Sequence, residues 1–227
     1  TDYIAVGKVF PERIAEIVKG ISNGCAKAGT ALIGGETAEH PGLLAEDEFD
    51  IAGAATGAVD AENLLGADKI KSGDLLIAMP ASGFHANGYS LIRYILQKNN
   101  LNLDSTLDSK TLGEYLLTPT EIYSLDCIAL IKGLKDSLHG FSHITGGGLA
   151  ENTARVIPNH LTATFDRSTW SLPLEMEHLA KVGRVPQSDL ERTWNAGIGM
   201  VAIVDTVATP ITYPSGADLA TNSAPIL

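Results

Sequence analysis

Residues 34–42 (GGETAEHPG) combine residue types that can handle phosphate groups. The adjacent glycines Gly34 and Gly35 allow a ligand to approach the backbone closely. A carboxylate beside a bare phosphate would repel it, so Glu36 makes chemical sense when a divalent cation lies between the two anions. Mg²⁺ in nucleotide sites is typically held by one or two carboxylates together with phosphate oxygens. The alternative is a tight turn with a surface glutamate, and a second glycine cluster downstream favours the phosphate interpretation.

The second cluster consists of Gly146, Gly147 and Gly148, which follow Thr145 and lead into a predicted helix. Backbone N–H groups of consecutive glycines before a helix can form a cradle for an anion. The segment is neither a P-loop nor a dinucleotide-binding motif, because it lacks both G-K-[ST] and G-x-G-x-x-G. His143 is the nearest titratable group and is a candidate phosphate contact or proton carrier. The alternative is a flexible turn before the helix.

Two further loops contain small and hydrogen-bonding side chains. Residues 81–90 (ASGFHANGYS) join an apolar strand to a helix and include His85 and Asn87. Strand-to-helix loops in α/β folds commonly bind ligands, because the helix N-terminus offers free amides and a positive dipole end. His85 is either a ligand contact or a loop histidine bonded to the backbone, and the sequence does not decide between them. Residues 194–199 (WNAGIG), which include Asn195, form the other loop.

The composition limits the classes of partner. The 227-residue chain has 27 acidic and 16 basic residues, a net charge of -11, which disfavours non-specific binding to nucleic acid or anionic membranes. No apolar run approaches the roughly eighteen residues of a membrane span, and we expect no signal peptide. Because the sequence lacks an initiator Met, we expect an N-terminal truncation. Cys25 and Cys127 have no metal-ligand spacing and no disulfide framework, so we expect core cysteines and a cytoplasmic protein.

The hydrophobic pattern predicts an α/β fold that carries these loops. Pro11 opens a helix that Gly29 closes, since proline suits a first helical position and glycine a C-terminal cap. A polar, turn-rich link over residues 63–74 indicates a domain boundary. Beyond residue 205 no periodicity remains, and an irregular tail is expected. The predicted strands are residues 3–6, 31–33, 49–59, 75–79, 161–165 and 200–204, and the further predicted helices are residues 91–98, 120–136, 174–182 and 188–193.

Three of these elements carry specific expectations about packing. The strand at 31–33 should be buried and should end at the first glycine pair. The strand at 49–59 is rich in Ala and Gly, which suits close packing against another backbone, a subunit or sheet contact. The helix at 120–136 should bury one side, formed by Ile122, Leu125, Ile128, Ile131 and Leu134.

Five sets of residues occur in one order along the chain: Asp2-Tyr3 with Gly7-Lys8, then G-G-E-T-A-E-x-P-G, S-G-x-H-x-N-G-Y-S, H-x-T-G-G-G and N-x-G-x-G-M. Together they resemble the phosphoribosylformylglycinamidine cyclo-ligases, or aminoimidazole ribonucleotide synthetases, of purine biosynthesis. The resemblance covers about residues 2–204. It implies a mixed α/β fold of two domains, with an N-terminal sheet that forms a barrel across a homodimer and a C-terminal sheet covered by helices.

By this resemblance, residues 1–68 are the second half of the ATP-binding and dimerisation domain, 69–204 are the substrate-binding domain and 205–227 are the tail. The implied reaction is an ATP-dependent ring closure: an amide oxygen of formylglycinamidine ribonucleotide attacks the γ-phosphate, and the amidine nitrogen then displaces phosphate. Phosphoryl transfer of this kind requires mainly positioning and charge neutralisation. The nucleotide substrate and the homodimer are then the expected partners, without nucleic acid or membrane.

The resemblance also assigns roles to individual residues. Glu36 is the expected Mg²⁺ ligand, and Glu36 and His143 are the candidate catalytic residues. The expected ATP and phosphate contacts are Gly34, Gly35, Thr37 and Asp2. The expected substrate contacts are Thr145, Gly146, Gly147 and Gly148, with His85, Asn87 and Asn195 nearby. The underlying hypothesis is that the two glycine turns hold phosphates at opposite ends of one cleft.

Two departures from the family pattern bear on activity. The N-terminal portion of the family is missing, and the sequence after Val204 does not match the expected final strand and helix. We therefore expect the 227-residue chain alone to be inactive or unstable. Rival interpretations are a related ATP-dependent enzyme, such as a selenophosphate synthetase, a thiamine-monophosphate kinase or a hydrogenase-maturation protein, and a non-catalytic nucleotide-binding module. A third is that every glycine cluster is only a turn.

Overall fold

The structure is a computed structural model that describes residues 1–206 and 224–225. Its fold is mixed α/β, as the sequence predicts. The chain divides into two compact units, one formed by Thr1–Leu64 with Ile122–Ile128 and the other by Leu65–Glu121 with the chain from Ala129 onwards. In the described part of the chain, no helix is both long and apolar enough to cross a membrane.

Unit 1 contains a three-stranded sheet and one long helix. Strand β1 (Asp2–Val6) lies in the centre, parallel to β2 (Gly35–Glu39) and antiparallel to β3 (Phe49–Gly53). Helix α1 (Pro11–Ala28) begins with the predicted proline and ends at Gly29, whose left-handed conformation (φ 67°) lets its N–H bond the Ala26 carbonyl. Both predicted ends of this helix are confirmed.

The predicted buried strand at residues 31–33 is wrong. These residues belong to no strand, and the side chain of Ile33 is 83% exposed. The strand instead begins at Gly35, because β1 pairs along its whole length with residues 35–39. An apolar run of three residues is too short to carry a periodicity, so the pattern could not separate a strand from a connecting segment.

The predicted strand at residues 49–59 is correct only for its first half. Strand β3 ends at Gly53, and residues 54–60 form neither strand nor helix. The expected close backbone packing is not present at Gly57 within the described chain, since no atom lies within 4 Å of the position of an added Cβ. All residues of β3 are exposed.

Unit 2 is organised around the sheet β7-β8-β4-β9. Strand β4 (Leu75–Pro80) leads to helix α2 (Tyr89–Lys98), and the short strands β5 (Thr106–Leu107) and β6 (Lys110–Thr111) precede helix α3 (Leu112–Leu116). The remaining elements are α4 (Ser124–Leu134), β7 (Leu138–His143), α5 (Gly148–Ala154), α6 (Leu174–Gly183), α7 (Gln187–Thr193), β8 (Ile198–Val204) and β9 (Ala224–Pro225). Strand β8 is antiparallel to both β4 and β7.

Two apolar clusters stabilise unit 2. The first packs the loop after β4 against the helices, and its members include Phe84, Ile92, Ile95, Met176, Leu179, Leu190 and Trp194. The second covers the sheet, and its members include Leu76, Ile144, Leu149, Ile198, Val201 and Ile203. The Phe84 and Trp194 rings meet edge to face at 4.9 Å between centroids, a favourable aromatic geometry. The loops after β4 and before β8 are thereby fixed to the helical core.

The predicted strand at residues 161–165 is wrong. Its side chains do alternate, with Leu161, Ala163 and Phe165 packed against the sheet cluster and the residues between them exposed. However, no strand of the described structure pairs with this segment. The period-two pattern therefore reports an extended segment lying on the core, which shares the alternation of a strand without its ladder of hydrogen bonds.

The predicted buried face of the helix at 120–136 is also wrong. Helix α4 is shorter, its residues up to Ile128 belong to unit 1 and the rest to unit 2, and its fully buried residue is Leu130. Leu125, Ile128 and Ile131 are 51%, 43% and 40% exposed. Because apolar residues occur on every side of this helix, the 3.6-residue period does not single out the face that is buried. The predicted tail lies outside the described residues, apart from its first two residues and β9.

Candidate functional site

Three loops of unit 2 meet at one end of its sheet. Strands β4 and β7 run in the same direction and end at Pro80 and His143, while β8 begins between them at Ile198. Two backbone hydrogen bonds join the loops there, from the N–H of Ala81 to the Gly197 carbonyl and from the N–H of Ile144 to the Gly199 carbonyl, both 2.9 Å long. The sheet thus brings together the three segments that sequence analysis treated separately.

Asn195 joins two of these loops. Its side chain is fully buried, its Nδ2 donates to the Gly83 carbonyl at 2.8 Å, and its Oδ1 accepts from the N–H of Gly197 at 2.9 Å. A buried amide whose donor and acceptor both bond backbone stabilises the loops it connects. The structure therefore places Asn195 beneath the surface of the site, as a scaffold residue.

His85 lies in the loop after β4 and is buried. Its Nε2 accepts hydrogen bonds from the N–H groups of Ser82 (3.2 Å) and Glu121 (3.4 Å), so the neutral ring carries its proton on Nδ1. Burial lowers the pKa of His85, the positive charge of His143 lowers it further, and the Glu121 carboxylate partly offsets both. The sequence left two alternatives open for His85, a ligand contact or a loop histidine bonded to the backbone. The hydrogen bonds of its Nε2 match the second alternative.

His143 and Asn87 are the more accessible polar residues of this region. His143 is the exposed last residue of β7, paired with Met200, and its charge acts on His85. Asn87 is half-buried, and its backbone N–H bonds the carbonyl of Phe84 at 3.3 Å. The structure therefore brings His85 and His143 into electrostatic contact and leaves His143 at the surface.

The Thr145–Gly148 turn is fixed from below by Asn152 of α5. The Asn152 side chain is 5% exposed, and its Nδ2 lies 2.7 Å from the Gly148 carbonyl oxygen and 3.3 Å from those of Thr145 and Gly146. Its Oδ1 accepts from the Thr145 hydroxyl at 3.1 Å. Sequence analysis missed this residue, although an asparagine on the helix directly after a glycine run was the available signal.

The three glycines of this turn are not equivalent. Gly148 has φ +70°, and an added Cβ would lie 1.7 Å from the Glu191 carbonyl oxygen, so α5 and α7 pack too closely there for a side chain. Gly146 is exposed and has open space around it. The N–H of Gly148 bonds the Thr145 carbonyl at 3.1 Å, whereas those of Gly146 and Gly147 make no hydrogen bond within residues 1–206. The latter two remain available to an anion.

The candidate residues of unit 1 lie on and before β2. Asp2 pairs with Gly35 and Tyr3 with Glu36, so the alternation of strand side chains places Asp2 and Glu36 on opposite faces of the sheet. The Asp2 carboxylate occupies the position that a Gly35 side chain would need, and Gly34 has open space around it. A cavity of about 390 Å³ on the α1 side is lined by Asp2, Ile4, Val18 and residues 32–37, so Glu36 contributes to its rim although its side chain belongs to the other face.

A metal ion held only by protein side chains does not fit this site. In the described part of the chain, no group of three or more His, Cys, Asp or Glu side chains is placed to hold a metal. Glu36 is exposed, and the carboxylate of Asp2 cannot act as a second ligand beside it because Asp2 lies on the opposite face of the sheet. A Mg²⁺ ion held by one carboxylate and by the phosphates of a nucleotide does fit, because Mg²⁺ commonly binds in that way.

A buried acid–base pair lies at the opposite end of the sheet of unit 2. His139 Nδ1 and Asp74 Oδ2 are 2.6 Å apart, both residues are 3% exposed, and the same carboxylate oxygen accepts from the N–H of Lys71 at 2.8 Å. The pair lies where β4 and β7 begin, whereas the three loops follow their ends. Sequence analysis missed it because the two residues are distant in the chain and belong to no motif.

Comparison with known proteins identifies related sequences in both units. The N-terminal domain of the AIR synthase related proteins matches residues 1–59, and their C-terminal domain matches residues 71–210. The phosphoribosylformylglycinamidine cyclo-ligase of Pseudothermotoga lettingae is 46% identical over 206 residues, 90% of this chain and 60% of that protein. That of Desulfitobacterium hafniense is 48% identical over 203 residues, 89% of this chain and 59% of that protein. The chain thus spans about three-fifths of the length of these relatives.

Solved structures share the fold at low sequence identity. Escherichia coli HypE, a hydrogenase maturation protein, superposes with a TM-score of 0.62 at 16% identity, covering 99% of this chain and 64% of that protein. A structure of HypE in complex with ATP has a TM-score of 0.50 at 14% identity, with coverages of 99% and 62%. At such identities the likeness concerns the fold alone.

Proposed function

Since this chain belongs to the AIR synthase related proteins, we propose that it is part of an ATP-dependent cyclo-ligase of purine biosynthesis. The proposed enzyme converts formylglycinamidine ribonucleotide to aminoimidazole ribonucleotide. The observation that carries the proposal is the 44–48% identity to several cyclo-ligases over about 90% of the chain. A match of about 200 residues necessarily extends into both units of the chain.

The chain would contribute phosphate contacts from each unit. ATP supplies the phosphoryl group that turns an amide oxygen of the substrate into a leaving group, and this chemistry demands positioning and neutralisation of charge. In unit 1, the open backbone at Gly34 suits a phosphate contact, with Gly35 and Thr37 beside it, and Glu36 is the proposed ligand of Mg²⁺. Asp2 faces the α1 side of the sheet and would act there, away from Glu36.

In unit 2, the proposed contact with the substrate phosphate is the turn after β7. The unbonded N–H groups of Gly146 and Gly147 support this role, since backbone donors that face solvent can bind an anion without loss of internal hydrogen bonds. His143, exposed beside the turn, would bind the phosphate or carry a proton, with Asn87 nearby. His85 and Asn195 would hold the neighbouring loops in place.

We further propose that the protein acts as a homodimer in the cytoplasm. The sheet face of unit 1 that points away from α1 carries Tyr3, Ala5, Ala38 and Ala52 together with the carboxylates Glu36 and Asp50, and Tyr3 is 40% exposed. Small side chains on an open sheet face permit close approach of a second sheet. A second copy of the chain is the proposed occupant of this face.

The proposal is tested by transplantation into a complete relative. The P. lettingae cyclo-ligase would be made with its 206 matching residues replaced by those of this chain. The chimera should form aminoimidazole ribonucleotide with consumption of one ATP per product. Glu36→Gln should lower its kcat/KM about a hundredfold, the size expected for loss of one charge-stabilising group at a reacting phosphate. Glu12→Gln, an exposed change on α1, is the matched control and should leave the rate unchanged.

A folded chimera that binds Mg-ATP but makes no product would contradict the cyclo-ligase assignment. The same preparation then separates the rival functions, because selenide and thiamine monophosphate can be offered as alternative acceptors of the phosphoryl group. Loss of all turnover with retained nucleotide binding would favour a non-catalytic nucleotide-binding module. If the Glu36→Gln chimera were as active as the unmodified chimera, Glu36 would not be a ligand of the metal. The assignment of the reaction would be unaffected by that result.

A further inference from the structure

We propose that Asn152 is the positioning residue of the phosphate-contacting turn, residues 145–148, an inference that rests on the proposed function of that turn. Asn152 lies in the second half of α5, seven residues after Thr145, and its side chain is 5% exposed. The turn itself contains three glycines in succession, which have no side chains to fix its conformation. Its geometry must therefore be set by groups outside it.

The Asn152 carboxamide uses both of its ends on the turn. Nδ2 donates to the Gly148 carbonyl at 2.7 Å and shares its second hydrogen between the carbonyls of Thr145 and Gly146, each at 3.3 Å. Oδ1 accepts from the Thr145 hydroxyl at 3.1 Å and from Arg155 Nη1 at 3.1 Å. A buried amide group without a hydrogen-bond partner costs free energy. This network therefore favours the one arrangement of the turn in which the Asn152 carboxamide is paired.

The direction of the carbonyls determines the direction of the amides that an anion would meet. In a planar trans peptide, the C=O of one residue and the N–H of the next point to opposite sides. Asn152 holds the carbonyls of Thr145 and Gly146 towards the protein interior, so the N–H groups of Gly146 and Gly147 point the other way. Neither of these two N–H groups makes an internal hydrogen bond within residues 1–206.

The test compares Asn152→Ala with two controls in the same unit. Asn99→Ala removes another asparagine whose Nδ2 donates to a backbone carbonyl, that of Ile95 at 2.9 Å, and Ile95→Val removes one buried methyl group from the helical core. Inorganic phosphate is titrated into the 227-residue chain, and the amide resonances of Gly146 and Gly147 are followed by NMR. Sodium chloride at equal ionic strength serves as the blank.

We expect Asn152→Ala to weaken phosphate binding about tenfold or more, the effect of losing one well-oriented hydrogen bond to a charged group. Both controls should keep the dissociation constant of the unmodified chain, even where their melting temperatures fall as far as that of Asn152→Ala. Hydrogen exchange at the N–H of Gly148, which bonds the Thr145 carbonyl, should accelerate in Asn152→Ala and not in the controls.

The outcomes separate this inference from the proposed function. If the unmodified chain binds phosphate at Gly146 and Gly147 and Asn152→Ala binds it equally well, the positioning role is overturned while the site stands. If the unmodified chain shows no phosphate-dependent shift at these glycines, the proposed phosphate contact is overturned, and the role of Asn152 falls with it. Unchanged exchange at Gly148 in the variant overturns the positioning role by itself, whether or not phosphate binds.

Discussion

At the scale of single residues, buried polar side chains of unit 2 bond the backbone of the loops they support. Asn195 joins two loops, Asn152 fixes the third, and His85 accepts from two N–H groups. Side-chain groups paired in this way specify one local geometry, because a rearrangement would break hydrogen bonds of buried donors and acceptors. The exposed residues of the region, among them His143 and Gly146, are then the ones free to meet a ligand.

The lowered pKa of His85 predicts a pH dependence of stability. Between its folded pKa and the ordinary value of 6.5, the unfolded chain binds the proton that the folded chain does not, so the free energy of unfolding falls as the pH is lowered through this range. Urea denaturation of unit 2 at pH 7.5 and 5.5 measures the fall. His85→Gln should reduce the difference between the two pH values, whereas exposed His160→Gln should retain it. If the free energy of unfolding of His85→Gln differed between the two pH values as much as that of the unmodified chain, the pH dependence would arise from other groups.

The buried pair of Asp74 and His139 predicts a large and non-additive effect on stability. Asp74→Ala removes the acceptor of both His139 and the N–H of Lys71, and we expect a loss of roughly 3 kcal/mol, since breaking a buried pair leaves its partner uncompensated. The double variant Asp74→Ala/His139→Ala should lose less than the sum of the single changes. Strict additivity in urea unfolding would show that the two side chains do not stabilise each other.

At the scale of elements, packing between α5 and α7 explains why the turn before α5 ends in glycine. Gly148→Ala should destabilise the chain by at least about 2 kcal/mol, because it combines a left-handed backbone with a clash against the Glu191 carbonyl. Gly146→Ala in the same turn is the matched control and should change stability by less than about 0.5 kcal/mol, since its surroundings are open. Thermal unfolding compares the two, and equal melting temperatures would refute the packing argument.

The elements also show how far the sequence determines the fold. Helix α1 was predictable at both ends because Pro11 and Gly29 have conformational preferences of their own. The segments 31–33 and 161–165 were wrongly predicted as strands, because apolar runs and alternation record burial and do not record which backbone supplies the hydrogen bonds. The buried face of α4 could not be read either, since its apolar residues surround the helix.

The sequence predicted which loops form the candidate site, but it did not predict the buried residues that hold those loops in place. Glycine and histidine motifs marked the turns after β4 and β7, because few other residues tolerate such backbone geometry or titrate near neutral pH. The support given by Asn152 depends on bonds that form only after α5 folds against the turn. Likewise, the separation of Asp2 and Glu36 onto two faces follows from the strand register, which depends on which residue of β1 meets Gly35.

At the scale of the whole molecule, unit 1 leaves much of its sheet uncovered. Every residue of β3 is exposed, as are all but one of β2, and Tyr3 of β1 is 40% exposed. An uncovered sheet face of this kind is a candidate interaction surface. The proposed homodimer would cover the face that carries Ala5, Ala38 and Ala52.

Charge placed on that face should prevent self-association. Ala52→Glu adds a third carboxylate to a face that already carries Glu36 and Asp50, and its burial beside Tyr3 against a second copy would be unfavourable without a partner of opposite charge. Sedimentation velocity at micromolar concentration should show a dimer for the unmodified chain and a monomer for this variant. Ser22→Glu on the exposed side of α1 is the control and should remain dimeric. A dimer that persists in Ala52→Glu would move the interface elsewhere.

The order of strands in unit 2 has a consequence for biosynthesis. Strand β8 lies between β7 and β4 and bonds both, yet it is made after both of them. A ribosome that has added residue 197 has therefore produced two strands whose common neighbour does not yet exist. Contacts across such long stretches of chain form slowly, and unpaired strands are prone to aggregate while they wait. The emergence of Ile198–Val204 from the exit tunnel would join β7 to β4 and bring the three loops together in one late step.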